Sequence, residues 1–296
     1  MATEKYWLDS DGNVTLAGNW SGASVPTLTD NLWIMSGNKT VNQNMDFTAQ
    51  SVTTTSVRFG PDWQGQFGDE SNPFKIGNAI ANVWINSPKA KGIFLSTNDT
   101  TNAVVDTWIE EAGSAPNACV LWDGTWTNVY HRKGLLRIND LAIVTTLYCQ
   151  MQNDRAGDAR VIIEQGAAMT TANVYGGDVE CEIPLTTVNM YGGRFRHVAN
   201  STTTPNITTV NMYGPTAEFY FNSQGGTITT LNGHAGTLYC GGGVIRKRTI
   251  TTYNAYSGHV GYIGTGVAGV LVTTMNDKFG GRVYSELGRS LLSAPV

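Results

Sequence analysis

The phrase Leu185-Thr186-Thr187-Val188-Asn189-Met190-Tyr191-Gly192 decides the fold. It returns almost letter for letter as Ile207-Thr208-Thr209-Val210-Asn211-Met212-Tyr213-Gly214, and an earlier copy reads Met169-Thr170-Thr171-Ala172-Asn173-Val174-Tyr175-Gly176. Three looser copies follow: Ile228-Thr229-Thr230-Leu231-Asn232-Gly233-His234, Ile250-Thr251-Thr252-Tyr253-Asn254-Ala255-Tyr256 and Val272-Thr273-Thr274-Met275-Asn276-Asp277-Lys278. From one copy to the next the second threonine moves by 16, 22, 21, 22 and 22 residues. That period lies in the range of solenoids.

Within each copy the pattern is that of a strand. The residue after the second threonine is Ala172, Val188, Val210, Leu231, Tyr253 or Met275, and the residue two further on is apolar or small in all copies but the last. Apolar positions at i and i+2 mark a half-buried strand. A coil of about 22 residues without a helix cannot bury its apolar face alone. Stacked on its neighbours at about 4.8 Å, it closes a continuous core. The sequence therefore predicts an all-β protein, a parallel β-helix with capped ends. The period predicts a right-handed coil, because left-handed versions are built on strict hexapeptides absent here. The Thr-Thr pair is read as a corner between two sheets. The intervening residue, always Asn (Asn173, Asn189, Asn211, Asn232, Asn254 and Asn276), predicts a structural ladder in which each amide bonds to the next.

Along the chain, residues 1–50 read as an N-terminal cap and 51–140 as irregular coils, with outside loops around 61–75 and 110–128. Residues 141–276 read as regular coils and 277–296 as a C-terminal cap or arm, all within one elongated domain. The stretches Val52-Thr53-Thr54 and Ile143-Val144-Thr145-Thr146 echo the repeat. All eight tryptophans lie at or before Trp126. That is more than a narrow coil interior is expected to take, so part of residues 1–130 is expected to contact a larger assembly.

Only 14% of the 296 residues are charged and the net charge is −4, which argues against nucleic acid as a partner. No apolar leader stands at residues 1–7 and no stretch is long enough to span a membrane, so the expectation is a protein made in the cytoplasm without a signal peptide. The four cysteines are scattered and read as core thiols, with no zinc spacing among them. No cofactor or metal is expected.

The stretch Gly18-Asn19-Trp20-Ser21-Gly22, followed by Val25-Pro26, Asp30 and a strand, resembles the opening of many β-helical proteins of bacteriophages and bacterial surfaces. The Thr/Asn/Gly ladder that follows is similar to phage virion β-helices, both tailspikes and capsid decoration proteins. The resemblance covers most of the chain as a style and rests on no signature residue set. It implies a structural virion protein on the capsid surface. The expected partners are a major capsid protein or other virion proteins, together with two further copies of the chain in a homo-trimer. A short tailspike-like polysaccharide binder or depolymerase is the alternative.

Chemistry is sparse. Glycosidases need two carboxylates roughly 5–9 Å apart. Glu180 and Glu182 share an outward strand face at about 7 Å. They are read as a solvated face paired with Arg194 and Arg196 of the next coil, so no catalytic residue is assigned. Asp9-Ser10-Asp11-Gly12-Asn13 has a calcium-loop look but lacks the closing Glu, since the twelfth position is Trp20, and is read as a turn. His131, His197, His234 and His259 fall in different coils and are read as surface or ladder residues. Tyr175, Tyr191, Tyr213, His234 and Tyr256 stand two residues beyond the Asn, facing outward. They form a candidate interface ladder, for a sister subunit or, less favoured, for sugar rings.

Overall fold

The computed structural model describes residues 3–8, 11–27, 30–43, 45, 56–76, 82–97, 104–149, 159–198, 206–241, 246–264, 269–278 and 280–285. Val52-Thr53-Thr54, the Asp9-Ser10 part of the calcium-like turn and the arm beyond 285 lie outside them. The described chain is all-β apart from one 3-10 turn at Ala17–Asn19. Its strands pair in parallel, coil upon coil, as a parallel β-helix. Two compact units are distinguished, residues 1–147 with 160–162 and residues 148–159 with 163–296.

In the second unit the repeat sets the register directly. Leu185–Met190 pairs with Ile207–Met212, which pairs with Thr227–Cys240, then Arg248–Ile263, then Val270–Lys278. Val188, Val210 and Leu231 lie opposite one another, all fully buried. A second column stacks Phe195 on Phe219, with ring centroids 5.5 Å apart, and continues to Leu238. Between the two strands of a coil the chain turns at glycines such as Gly193 (φ 69°), where an added Cβ would lie 2.6 Å from the Gly176 carbonyl carbon. That left-handed backbone and that closeness both require glycine.

The Thr-Thr pair is not a break between strands. A single strand runs across it in all six copies. Both threonines point outward in succession: in Ile207–Met212, Thr208 is exposed and Thr209 half-buried between buried Ile207 and Val210. The bend is made in the pleat, while the ladder continues on either side.

In the first unit, Glu4–Tyr6, Asn31–Gly37, Ser56–Trp63, Asn82–Ser87, Val104–Ala112 and Cys119–His131 form one parallel sheet. Inside it, Leu32, Val57 and Val83 form one column and Ile34, Phe59, Ile85 and Ile109 another. The segments around 61–75 and 110–128 are not outside loops. Trp63, Phe67 and Phe74, and likewise Cys119, Leu121 and Trp126, are fully buried strand residues. Phe67 meets Trp7, Phe59, Trp63 and Phe74 edge to face at 5.0–6.1 Å. The ladder there shifts register past Phe59, Ile109 and Leu121. Pro61 sits where the register shifts past Ile34, a place a strand proline can occupy without losing a ladder bond. The coil interior also takes more tryptophan than expected: Trp7, Trp20, Trp63 and Trp126 are core residues.

Candidate functional site

Three outward columns rich in aromatic rings stand on the described residues. The first runs beside an asparagine ladder in the second unit. Each side-chain amide donates to the oxygen of the asparagine one coil earlier: Asn189 to Asn173, Asn211 to Asn189 and Asn232 to Asn211 at 2.9 Å, Asn254 to Asn232 and Asn276 to Asn254 at 2.8 Å. Beside it runs the aromatic ladder Tyr175–Tyr191–Tyr213–His234–Tyr256, stacked at 4.5, 5.3, 5.2 and 4.1 Å. Tyr175, Tyr191 and Tyr213 are 41–43% exposed, so the rings cover one another's faces and offer their edges. Partial burial, and then the neighbouring Tyr191 and Tyr148, push the Tyr175 hydroxyl pKa up.

The second column is one that sequence reading does not find. Tyr220, Tyr239, Tyr262 and Tyr284 stack at 4.6, 5.7 and 6.0 Å. Each stands between inward residues, as in Phe219-Tyr220-Phe221 and Leu238-Tyr239-Cys240, and that alternation is the available signal. Arg194 lies over Tyr220 at 5.7 Å and pairs with Glu218 at 3.1 Å.

The third column belongs to the first unit. Strand register sets Tyr6, Trp33, Arg58, Trp84, Trp108 and Tyr130 one above another on the outward face. Trp108 stacks on Tyr130 at 3.9 Å and on Trp84 at 6.2 Å, and Tyr6 on Trp33 at 5.9 Å. Between Trp33 and Trp84 the stack is interrupted by Arg58, whose guanidinium lies 4.5 Å from the Trp33 ring centre. A cleft of about 190 Å³ opens there, lined by Trp33, Met35, Arg58, Gly60, Trp84 and Asn86. Gly60 packs closely on Met35 at its wall, where a Cβ would lie 2.7–2.9 Å from Met35 atoms.

Of the two carboxylates read as a solvated face, Glu180 is paired. Arg196 grips Asp178 at 3.1 and 3.0 Å and reaches Glu180 at 3.0 Å. Arg194 instead serves Glu218, one coil further on. Partial burial, then Glu180 and Glu164, raise the pKa of Glu182. Asp11 accepts from the Asn19 amide and from the Asn13 backbone N–H at 2.9 Å, which together hold its carboxyl below the usual range. Among the described residues no three His, Cys, Asp or Glu side chains are placed to hold a metal ion, and no helix is long and apolar enough to cross a membrane.

Three histidines are core residues and not surface ones. His131, His197 and His259 are fully buried, and burial drops each pKa to about 4. They occupy inward strand positions, where a neutral imidazole can satisfy backbone groups. His197 donates from Nε2 to the Ile183 carbonyl at 2.9 Å and accepts from the Ser223 hydroxyl at Nδ1, 2.6 Å away. His259 accepts from the Tyr253 hydroxyl at 2.6 Å and donates to the Ala235 carbonyl at 3.2 Å. The Ser223–His197 pair has the atoms of a nucleophile and its base, but both are sealed from solvent. Buried Arg248 plays a similar structural part, donating to the Phe221 and Gly241 carbonyls. All four cysteines are free and buried, their thiols pushed up to about 12 by desolvation. A thiolate nucleophile needs the opposite shift.

Comparison with protein-family models, with curated proteins and with solved structures finds no match for this chain.

Proposed function

We propose that this chain is a structural bacteriophage virion protein, a decoration or accessory protein that binds and stabilises the capsid surface as a trimer. The observation that carries the reading is the Tyr175–Tyr191–Tyr213 ladder, three rings each more than 40% exposed on a backbone braced by the adjacent asparagine bonds. Tyrosine provides large contact area at little entropy cost, which suits an interface between proteins. The sequence resemblance supplies the virion context. In this reading the protein has no glycosidase activity. Arg196 neutralises Glu180 across the rung, so that residue is a poor nucleophile or base for the neighbouring Glu182.

Two measurements test it. Light scattering at micromolar concentration should give a trimer, and the protein should co-sediment with capsids. A double Tyr191→Ala, Tyr213→Ala variant should lose the trimer while keeping its circular dichroism. A monomer that also fails to co-sediment overturns the proposal. So does release of reducing ends from a host polysaccharide that disappears in Glu182→Gln.

A further inference from the structure

We propose that Trp84, Arg58 and Asn86 form a subsite for one acidic sugar residue of a glycan. The inference stands on the first unit alone and is independent of the virion reading. Its basis is the way the third column departs from the other two. Where the asparagine ladder satisfies itself, this column is broken by a cation and, among the described residues, leaves several groups without partners.

Trp84 is 41% exposed. Trp108 covers one of its faces, and no ring covers the face toward Arg58 among the described residues. The strand Asn82–Ser87 alternates so that Asn82, Trp84 and Asn86 all point outward, an amide on each side of the indole. Among the described residues neither side-chain amide has a hydrogen-bond partner. The Arg58 guanidinium, one rung away, rests on Trp33 and has no carboxylate partner among them. Three groups thus converge on one cleft: an apolar plate, the Asn86 amide and a cation.

Each part matches one feature of an acidic pyranose. The ring's C–H face is apolar and flat enough to lie on an indole. Its equatorial hydroxyls radiate from the rim, where an amide can donate and accept. Its carboxylate suits a guanidinium that is already oriented by an aromatic face and is weakly hydrated. The volume, about 190 Å³, falls below the roughly 300–1,000 Å³ of drug-sized pockets and suits a single ring.

A stacked nucleobase would use the same indole, but its phosphates would meet the wrong neighbours. The polar column two residues along the same strands contains Glu4 and Asp106, held by Asn31 and Asn128 at 3.0 Å. One arginine among carboxylates fits a ligand with one charge per unit and not a polyphosphate.

The test is titration of the full chain, followed by tryptophan fluorescence and by saturation-transfer NMR on the ligand. The probes are a hyaluronan hexasaccharide, a galacturonate hexasaccharide and sialyllactose, with maltohexaose and a ten-residue oligothymidylate as comparisons. At least one acidic probe should saturate with a dissociation constant between about 0.1 and 5 mM, the range of a single small subsite. Trp84→Ala should weaken it at least tenfold. Arg58→Gln should lower the acidic probe to the affinity of maltohexaose, and Asn86→Ala should weaken it three- to tenfold. Tyr191→Ala, on the other unit, should leave it unchanged. Circular dichroism separates loss of binding from loss of fold, and Asn86→Ala, which touches only an outward amide, keeps the test alive if Trp84→Ala misfolds. Absence of saturation by every acidic probe at about 10 mM overturns the proposal. Affinity indifferent to Arg58→Gln, or tighter binding of oligothymidylate than of any sugar, overturns it too.

Discussion

The two units build the same coil with opposite surface policies. In the second, the asparagine and tyrosine ladders each repeat one chemical type, and the repeat saturates itself: amide on amide, ring on ring. In the first, an outward column reads Tyr, Trp, Arg, Trp, Trp, Tyr, and its members do not all satisfy one another. Self-complementary ladders stiffen a solenoid and use up their hydrogen-bonding capacity internally. A mixed column is less regular and leaves valences pointing at solvent, where a ligand can use them. A regular ladder therefore suits broad contact with another protein, and the irregular half is the better place to look for a small ligand.

The comparison breaks first in the cores. Val210→Asp buries a lone carboxylate in the regular stack and should cost about 3–5 kcal/mol. Phe67→Ala, which empties the centre of four edge-to-face rings in the first unit, should cost about the same. Denaturant titration measures both. If the units unfold separately, each variant should shift its own transition and leave the other in place.

Acid should loosen both units through their buried histidines, His131 in the first and His197 and His259 in the second. Each has a folded pKa of about 4 against an ordinary value near 6.5. The unfolded chain therefore binds more protons between those limits, and stability rises with pH across them. The stability is complete above about pH 6.5 and is lost as pH falls toward 4, at up to about 1.4 kcal/mol per pH unit for each histidine. Denaturation midpoints at pH 7, 6 and 5 check this. In His197→Asn the slope should be shallower.

The sharpest contrast lies in a matched pair of surface asparagines. Asn211→Ala removes two ladder bonds and leaves two half-buried partners short, which should cost about 1–3 kcal/mol. Asn82→Ala removes an amide with no protein partner among the described residues and should stay within about 0.5 kcal/mol. Equal costs would erase the distinction between the two surfaces. A small effect is also expected at Arg196→Ala, where a partly exposed ion pair with Asp178 and Glu180 should contribute about 0.5–1 kcal/mol, less in high salt.

The regular coils are legible in the sequence because the same residue recurs at the same depth. Val188, Val210 and Leu231 announce a column by type and spacing alone. The column in the first unit is hidden because its positions are equivalent while its residues are not. Its members stand between inward neighbours, as in Leu32-Trp33-Ile34, Val57-Arg58-Phe59 and Val83-Trp84-Ile85, at steps of 25 and 26 residues. Alternation within each strand is readable. The shared register is not, because corners of unequal length lie between the strands. The buried histidines mislead for a different reason: their polarity suggests a surface, while their position sets them inside. His197 follows Phe195 by two residues and so shares its inward face, where the Ile183 carbonyl and Ser223 make a neutral ring welcome. Segments 61–75 and 110–128 look like loops because of their glycines and prolines, yet Trp63, Phe67 and Trp126 between them carry the apolar bulk of a core.

The asparagine ladder also has a direction. Every amide N–H points toward the preceding coil and every oxygen toward the following one, so five aligned bonds add their dipoles along the stack. As in the peptide dipoles of a helix, the partial charges collect at the ends, positive beside Asn173 and negative beside Asn276. The column thus carries a sign at each terminus. Whatever meets the Asn276 amide oxygen, from this chain or another, is welcome if it brings an N–H or O–H and is repelled if it brings a carboxylate. Polarity of this kind lets one end of a symmetric-looking stack be told from the other.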